Sequence, residues 1–231
     1  AAHNVPLFER YERVLPDRRV GQPSGDFAVV DGPYPRAWGR IPLRDPETGA
    51  WTGEHRRAVV LGAGWVWVID EVHLARPDEV RFRWGWHPDW ELERTGRARE
   101  GADRWRILPA GDHGEPAEAT WRAAGPALAP GGVQQVRGEE MPRIQGWYSA
   151  QYNQRRATTV LLFPYELPAG VHRFSWLLVE GKDRGVTVEG GPGVGFRLRT
   201  DPPAGAPEEL VVEWTEGAEA PFRRGWSREG H

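Results

Sequence analysis

Residues 147–152 carry the densest set of side chains that could bind a ligand. They read W-Y-S-A-Q-Y and place an indole, two phenols, a hydroxyl and an amide within a short span. Aromatic faces stack on apolar surfaces while phenol and amide tips form hydrogen bonds, and this profile is typical of a loop that contacts carbohydrate. We therefore take Trp147, Tyr148, Ser149 and Tyr152 as candidate substrate-binding residues. The alternative is that these side chains close an edge of the fold.

Three histidines, His55, His87 and His172, are the imidazoles best placed to hold or act on a ligand. His55 is followed by Arg56, and a guanidinium can grip a carboxylate through two parallel hydrogen bonds. His55 and Arg56 therefore join the candidate substrate-binding set. A structural role remains the alternative for each histidine.

Asp70 stands at the end of an apolar run, and Glu71 follows it. A buried charge needs a partner, so the favoured interpretation is a carboxylate that pairs with an arginine such as Arg56 or Arg81. No phosphate-binding loop is present, because the glycine-rich residues 190–195 lack the Lys-Ser/Thr pair and no helix follows them. The G-x-S-x-G and H-E-x-x-H motifs are also absent. The residues alone identify no catalytic group.

Residues 54–90 contain the strands that must position these groups. Residues 57–61 predict one strand, apolar from Ala58 to Leu61 with two β-branched valines, G-A-G at 62–64 predicts a tight turn, and residues 65–72 predict a second strand. Alternate positions of that strand are largely apolar on both faces, so we expect it to be central and covered twice. Residues 80–86 alternate apolar and charged side chains. The pattern predicts a three-stranded antiparallel meander in which the strands of Val66 and Phe82 are neighbours.

The other informative block is residues 146–178, where 158–163 predict a strand, 164–170 a turn and 173–179 an antiparallel return. Residues 32–53 are rich in turn formers and predict a loop or ribbon anchored by Trp38 and Trp51. Further strands are predicted at 26–31, 90–94, 105–108, 117–123, 133–136, 186–188, 195–199 and 210–214. Turns recur about every 8–12 residues, which is typical of all-β sandwiches. We predict one domain, residues 1–231, built as an all-β, antiparallel two-sheet sandwich or supersandwich.

The composition excludes several classes of protein. Of the 231 residues, 39% are hydrophobic and 27% are charged, which is typical of a folded domain and not of a disordered chain. The formal net charge of −3 gives no indication of a nucleic acid or membrane partner. The absence of cysteine excludes disulfides and thiolate metal sites. The longest apolar run, residues 58–69, is too short and too interrupted by glycine to span a bilayer.

Three stretches together resemble the C-terminal β-sandwich region of the heparinase II/III-like polysaccharide lyases. The first is His3-Asn4, which is similar to the family's H-N-T motif, although Val5 stands where Thr is usual. The second is H-R-R-A-V-V-L with W-V-W-V-I-D-E-V, followed by F-R-W-G-W-H-P-D. The third is G-W-Y-S with Q-R-R-A-T-T-V-L-L-F-P, followed by F-S-W-L-L-V. Their order and approximate spacing fit the family over most of the chain.

The resemblance implies a larger enzyme, in which an N-terminal (α/α) toroid carries most of the catalytic machinery and the sandwich closes the substrate cleft. The implied reaction is β-elimination on an acidic, uronic-acid-containing polysaccharide. The implied cofactor is zinc, with His3 as one ligand. The family's other ligand segments, H-x-H-x-D and the D-x-G after it, would precede Ala1. We therefore expect the zinc site to be incomplete in this chain.

Further expectations follow from the resemblance. The toroid is the expected partner domain, the chain by itself is expected to be inactive, and the location is expected to be secreted or periplasmic although no signal peptide is visible. The chain would be a fragment or a stand-alone relative of such an enzyme. Two other classes stay open: a non-catalytic carbohydrate-binding sandwich, and a structural sandwich that docks on a helical partner.

Overall fold

The computed structural model describes residues 6–8, 27–30, 34–45, 47–97, 103–109, 119–140, 146–149, 154–181, 186–191, 195–200, 208–212 and 222–225. Within these ranges every regular element is a strand, and no helix occurs that could cross a bilayer. The strands are β1 (Pro6–Phe8), β2 (Phe27–Val30), β3 (Arg36–Arg44), β4 (Trp51–Gly62), β5 (Trp65–Leu74), β6 (Asp78–Gly85), β7 (Trp90–Arg97), β8 (Asp103–Pro109), β9 (Ala119–Ala124), β10 (Gln134–Arg137), β11 (Trp147–Tyr148), β12 (Arg156–Ala157), β13 (Thr159–Leu167), β14 (Gly170–Glu180), β15 (Val186–Gly191), β16 (Gly195–Thr200), β17 (Glu208–Val212) and β18 (Phe222–Gly225).

Two antiparallel sheets stack to form the main sandwich. The larger has eight strands in the order β2-β3-β4-β5-β14-β9-β8-β7, and the smaller has four in the order β1-β6-β13-β10. An aromatic core lies between them, in which the rings of Trp121 and Trp176 stack at 5.7 Å and Phe163 meets Trp176 edge-on at 5.2 Å. The predicted all-β antiparallel sandwich is confirmed.

A third sheet, in the order β15-β16-β17-β18, packs on the opposite face of the eight-stranded sheet. We call the face toward the four-stranded sheet the inner face and the opposite one the outer face. On β5, Trp67 and Ile69 pack with Phe196 of the third sheet, whereas Val68 and Val72 belong to the main core. The prediction that this strand is covered on both faces is therefore correct. The third sheet covers the Trp65 end of β5, and charged and aromatic side chains occupy the outer face near its other end.

The connections from β5 to β6 and from β13 to β14 both pass from one sheet to the other. β5 pairs with β4 and β14, but β6 pairs with β1 and β13 in the opposite sheet, so the predicted meander with neighbouring Val66 and Phe82 strands is wrong. Likewise β14 does not return beside β13, because the two strands lie in different sheets. The alternation of side chains shows which face of a strand is buried but not which strand lies beside it. Here the buried aromatic faces oppose one another across the core.

Pro42 and Pro164 lie inside strands, where the sequence predicted a loop or ribbon and a turn. In the described residues β2 pairs with β3 only as far as Gly39, so at Pro42 one side of β3 has no partner strand. The carbonyl of Pro164 accepts a hydrogen bond from the backbone N–H of Ala129, so the nitrogen of Pro164 also points away from β6. Proline is tolerated where the ladder needs no N–H, which explains both positions.

Candidate functional site

Asp70 is completely buried on the inner face of the eight-stranded sheet, and its carboxylate takes part in four hydrogen bonds. Oδ1 lies 2.7 Å from Nε2 of His55 and accepts from Nε of Arg57 at 2.7 Å. Oδ2 accepts from Nη2 of Arg57 at 2.9 Å and from Nε1 of Trp176 at 2.8 Å. We call these four residues the Asp70 cluster. It joins the neighbouring strands β4, β5 and β14.

The charge state of Asp70 follows from its partners. Burial by itself raises the pKa of this carboxyl, but the charge of Arg57 and the hydrogen bonds from His55 and Arg57 outweigh burial and hold the pKa well below its usual range. The carboxylate is therefore ionised at neutral pH and can only accept hydrogen bonds. It follows that Nε2 of His55 carries the proton, and that Nδ1 is the acceptor when the ring is neutral.

The prediction that Asp70 pairs with an arginine is correct, but the partner differs from those expected. Arg57 takes the role assigned to Arg56 or Arg81. Side chains alternate along a strand, so His55 and Arg57 share the inner face and Arg56 points to the outer face. The i, i+2 spacing from His55 to Arg57 was a signal in the sequence. The contact with Trp176 could not be foreseen, because it depends on the pairing of β5 with β14.

Arg56 lies on the outer face in a row of oppositely charged side chains. Its Nη1 donates to Oε1 of Glu71 at 3.3 Å, and it also contacts Glu54. Nε of Arg173 donates to Oε2 of Glu71 at 2.8 Å. Burial raises the pKa of Glu71, although both arginines act in the opposite direction. The structure therefore places His55 and Arg56 on opposite faces of the sheet.

Tyr148 meets His87 just beyond the end of β6. Their ring centroids are 4.9 Å apart and their planes cross at 62°. Nδ1 of His87 lies 3.3 Å from Oδ2 of Asp89, and Oδ1 of Asp89 accepts from Nη2 of Arg156 at 2.5 Å. We call His87, Asp89, Tyr148 and Arg156 the rim cluster. Its side chains are exposed or half-buried, and so a ligand can reach them.

Trp147 extends this surface. The guanidinium carbon of Arg155 lies 4.4 Å from the centroid of its ring, which is a cation–π contact. Nε1 of Trp147 donates to the carbonyl of Glu139 at 3.0 Å, and Arg155 pairs with Glu140 at 2.6 Å. Ser149 is exposed beside Tyr148. The indole is thus fixed on one edge and covered by a cation on one face.

Gly146 fixes the direction in which the chain enters β11. Its φ of 72° lies in the left-handed region, and a Cβ there would come within 2.7 Å of the backbone nitrogen of Gly138. Its carbonyl accepts from the N–H groups of Gly138 and Thr158. β11 then pairs with β12, with Tyr148 opposite Arg156. The backbone therefore sets both side chains on the same small ribbon.

The predicted site residues thus separate into three groups. Trp147, Tyr148 and Ser149 lie at the rim, while His55 and Arg56 lie on β4. Tyr152 and His3 fall outside the described residues. Sequence reasoning missed Asp89 and Arg156, because their ion pair links positions that come together only through the sheet order. Across the described part of the chain, no three His, Asp or Glu side chains gather as a metal site would require.

Residues 47–177, more than half of the chain, match the family described as Heparinase II/III-like, C-terminal. A crystal structure of heparinase III is similar with a TM-score of 0.58 and 10% identity, over 90% of this chain and 29% of that one. The heparan sulfate lyase HepC from Pedobacter heparinus is similar with a TM-score of 0.52 and 13% identity, over 81% of this chain and 28% of that one. No curated protein sequence matches the chain. The chain thus spans less than a third of these structures, and at such identities the likeness shows the fold alone.

Proposed function

The chain belongs to the heparinase II/III-like family, whose C-terminal domain it matches, and on that basis we propose that it is the sandwich part of a polysaccharide lyase. The proposed reaction is β-elimination on an acidic polysaccharide that contains uronic acid. The proposed role of this domain is to bind the sugar chain at the edge of the substrate cleft. The observation that carries the proposal is the contact of Tyr148 with His87 beside Arg156.

The rim cluster offers the two kinds of contact that an acidic sugar needs. The rings of Tyr148 and His87 present apolar faces and polar tips to solvent. Arg156 is exposed, and its guanidinium has five N–H donors in a fixed fork, of which the pair with Asp89 uses only part. Exposed ion pairs contribute little free energy, so a sugar carboxylate can share Arg156 with Asp89 at small cost. Arg155 and Trp147 continue the same combination of cation and aromatic ring.

The elimination step needs a base for the proton α to the carboxylate and a group that neutralises the carboxylate charge. We propose that a helical toroid domain supplies most of these groups, and we assign no catalytic residue in this chain. The length of the related structures supports a larger protein, since the chain corresponds to only 29% of heparinase III. We also propose that this lyase is secreted or periplasmic.

Zinc, which the family resemblance implies, is not part of the proposed chemistry of the described residues. Those residues bring no set of ligands together. His3 stays a predicted ligand that lies outside them. No step is therefore derived through a metal ion.

Binding of an alginate hexasaccharide to the chain, measured by calorimetry, tests the proposed role of the rim cluster. We expect Arg156→Gln to raise the Kd about tenfold, because it removes a charged hydrogen-bond donor worth roughly 1.5–3 kcal/mol. Arg106→Gln is the matched control, since Arg106 also forms a solvent-exposed pair, with Glu93 on the eight-stranded sheet. Equal affinities of the wild type and the Arg156 variant would contradict the proposed binding role.

A second measurement separates a lyase domain from a sandwich that only binds carbohydrate. The chain by itself should produce no new ultraviolet absorbance from unsaturated product on alginate or heparan sulfate. The same chain joined to a helical toroid domain should produce it, and Tyr148→Phe should slow turnover without unfolding the protein. Turnover by the chain alone would show that the catalytic groups lie within these 231 residues.

A further inference from the structure

Trp51 differs from every other tryptophan in the described residues, because it alone falls in the exposed class, at 46% of its surface. The sequence predicted that Trp38 and Trp51 anchor a loop or ribbon. Trp38 packs against the core between the eight-stranded sheet and the third sheet, whereas Trp51 opens β4 at the end of the β3–β4 hairpin. Exposing an indole forgoes the hydrophobic free energy that burial supplies. A single exposed apolar side chain is common on a folded protein, so the groups around Trp51 decide whether the indole meets a ligand.

The ring of Trp51 contacts His73, and hydrogen bonds hold the backbone beside it. The imidazole of His73 meets it at 5.2 Å with an interplanar angle of 71°. The hydroxyl of the next residue, Thr52, donates to the carbonyl of Leu43 at 3.1 Å, and the carbonyl of Thr52 accepts from the N–H of Ala75 at 2.9 Å. Because both flanking strands fix this backbone, little ordering is needed when a ligand meets the ring.

The hairpin loop beside Trp51 is closed by Asp45. Its backbone N–H donates to the carbonyl of Ala50 at 2.7 Å, and its Oδ1 accepts from the N–H groups of Glu47 and Thr48 at 3.1 and 3.0 Å. Such side-chain contacts stabilise tight loops. The loop that precedes Trp51 is therefore held in a defined conformation by these hydrogen bonds.

Two arginines lie on the segments beside Trp51: Arg44 on β3, and Arg76, whose neighbour Ala75 donates to the carbonyl of Thr52. Arg44 is directly opposite Trp51 in the β3–β4 register, and its Nη1 donates to the carbonyl of Gly49 at 3.1 Å. Nη2 of Arg76 donates to Oδ2 of Asp45 at 3.1 Å, while half of the Arg76 side chain is exposed. Each guanidinium has five N–H donors, and these contacts use one of them in each. The remaining donors can bind an anion next to the ring.

We propose that Trp51, Arg44 and Arg76 form a second binding site for the acidic polysaccharide. The apolar face of a sugar ring stacks on the indole, and the carboxylate of that ring or its neighbour pairs with the guanidinium groups. We call these three residues the Trp51 site. Charge complementarity favours this occupant over an apolar protein surface, because two arginines, Arg44 and Arg76, lie on the segments adjacent to Trp51.

The Trp51 site and the rim cluster lie at opposite ends of the sandwich. Arg76 precedes the first residue of β6, and His87 follows its last residue. The eight residues of β6 span roughly 25 Å at about 3.3 Å per residue. One long sugar chain or two separate chains would therefore meet both sites. The choice of an acidic polysaccharide as the ligand of the Trp51 site rests on the proposed function. The residues of the Trp51 site are different from those of the rim cluster.

The test uses the whole 231-residue chain with an alginate hexasaccharide, and with cellohexaose as the neutral probe. Trp51→Ala should raise the Kd of the alginate probe about tenfold, as the loss of an aromatic anchor does at other binding surfaces. Trp51→Phe should keep most of the affinity, since a stacking face remains. Leu61→Ala is the matched control, because Leu61 is 45% exposed at the other end of β4. Arg76→Gln should weaken binding of alginate and leave that of cellohexaose unchanged.

Acrylamide quenching gives a readout that does not depend on the stability of the alanine variant. The alginate probe should protect part of the tryptophan fluorescence in the wild type, and the share of this protection that comes from Trp51 should disappear in Trp51→Phe. Unchanged affinity in Trp51→Ala together with unchanged protection in Trp51→Phe would overturn the Trp51 site.

The outcomes also separate this inference from the rim cluster. Weaker binding only in Arg156→Gln would overturn the Trp51 site and leave the proposed function standing. Weaker binding only in Trp51→Ala would support the Trp51 site and contradict the rim cluster. If sedimentation shows self-association that Trp51→Ala abolishes, while sugar affinity is unchanged, a second copy of the chain covers the indole and the inference is wrong.

Discussion

Nε2 of His55 lies 2.7 Å from Oδ1 of Asp70, inside a sandwich where the carboxylate has no exposed surface. The two residues belong to neighbouring strands, β4 and β5, and share the inner face. Arg57 and Trp176 occupy the other acceptor positions of the same carboxylate. One charged group thus fixes three strands and one imidazole ring.

The tautomer of His55 is the first prediction. Because ionised Asp70 can only accept, the neutral imidazole should carry its proton on Nε2. Two-bond ¹H–¹⁵N spectra of the chain should show a protonated Nε2 and an unprotonated Nδ1 for this ring. The opposite pattern would mean that Asp70 does not accept from His55. His73 and His172, which do not contact Asp70, provide internal references.

Replacing Asp70 by Asn should strongly destabilise the fold. The change leaves the guanidinium of Arg57 and the ring of His55 without their anion in a buried position, which costs about 3–5 kcal/mol. Asp89→Asn is the matched control, because it breaks an exposed pair with Arg156 and should cost less than about 1 kcal/mol. Urea unfolding followed by tryptophan fluorescence measures both. Similar decreases in the free energy of unfolding for the two variants would contradict the stabilising role given to the Asp70 cluster.

The contribution of Asp70 should depend on pH in a defined direction. Its pKa is lower in the folded chain than in the unfolded chain, so its stabilising effect is complete above the unfolded value of about 4. The effect declines as pH falls below that value and vanishes once pH passes the folded value. The gap in unfolding free energy between wild type and Asp70→Asn should therefore be constant from about pH 7 to 5 and narrow toward about pH 3. A gap that widens on acidification would exclude this explanation.

Gly62 should not tolerate a side chain. A Cβ at this position would overlap the indole of Trp65, which is buried and packs against Tyr34. Overpacking of this kind costs about 1–3 kcal/mol, so Gly62→Ala should lower the urea midpoint. Gly191→Ala serves for comparison, because a Cβ there would meet no atom within 4 Å. An unchanged midpoint for the first variant would mean that the Trp65 ring moves at no cost.

Zinc binding by this chain should be weak. His3 is the only ligand that the family resemblance places within residues 1–231, and one imidazole cannot complete a tetrahedral site. After dialysis, plasma emission spectrometry should find far less than one zinc per chain. Stoichiometric zinc would place the ligands elsewhere in the chain, and His55→Gln and His87→Gln would then show which histidines hold it.

The sequence predicted the positions of the strands better than it predicted which strands lie side by side. Alternation identified β5 as covered twice, because Trp67 and Val68 must bury opposite faces. The same alternation could not show that β6 belongs to the other sheet. The pattern of buried side chains on a strand is the same whichever strand lies beside it. Pro42 and Pro164 misled the prediction because proline disrupts a ladder only where a neighbour needs its N–H.

The candidate site was predictable to a similar degree. Trp147, Tyr148 and Ser149 share one short segment, so composition alone marked them. Their partners Asp89 and Arg156 are 67 residues apart in the chain, and no local pattern joins them. Arg56 was expected beside His55, but the strand's own geometry turns the two side chains in opposite directions.

The pairing of β5 with β14, which are far apart in the chain, has a consequence for how the chain folds. Nε1 of Trp67 donates to Oγ of Ser175, which is 108 residues away, and Asp70 meets Trp176 over 106 residues. Pairings of such separation form slowly, because a long loop must close before any contact compensates for the lost entropy. Until β14 pairs with it, β5 has one open edge on the side away from β4, and its apolar faces wait for the strands of the other two sheets. The refolding rate of this sandwich should therefore depend on how long that edge stays unpaired, and aggregation should compete with refolding as protein concentration rises.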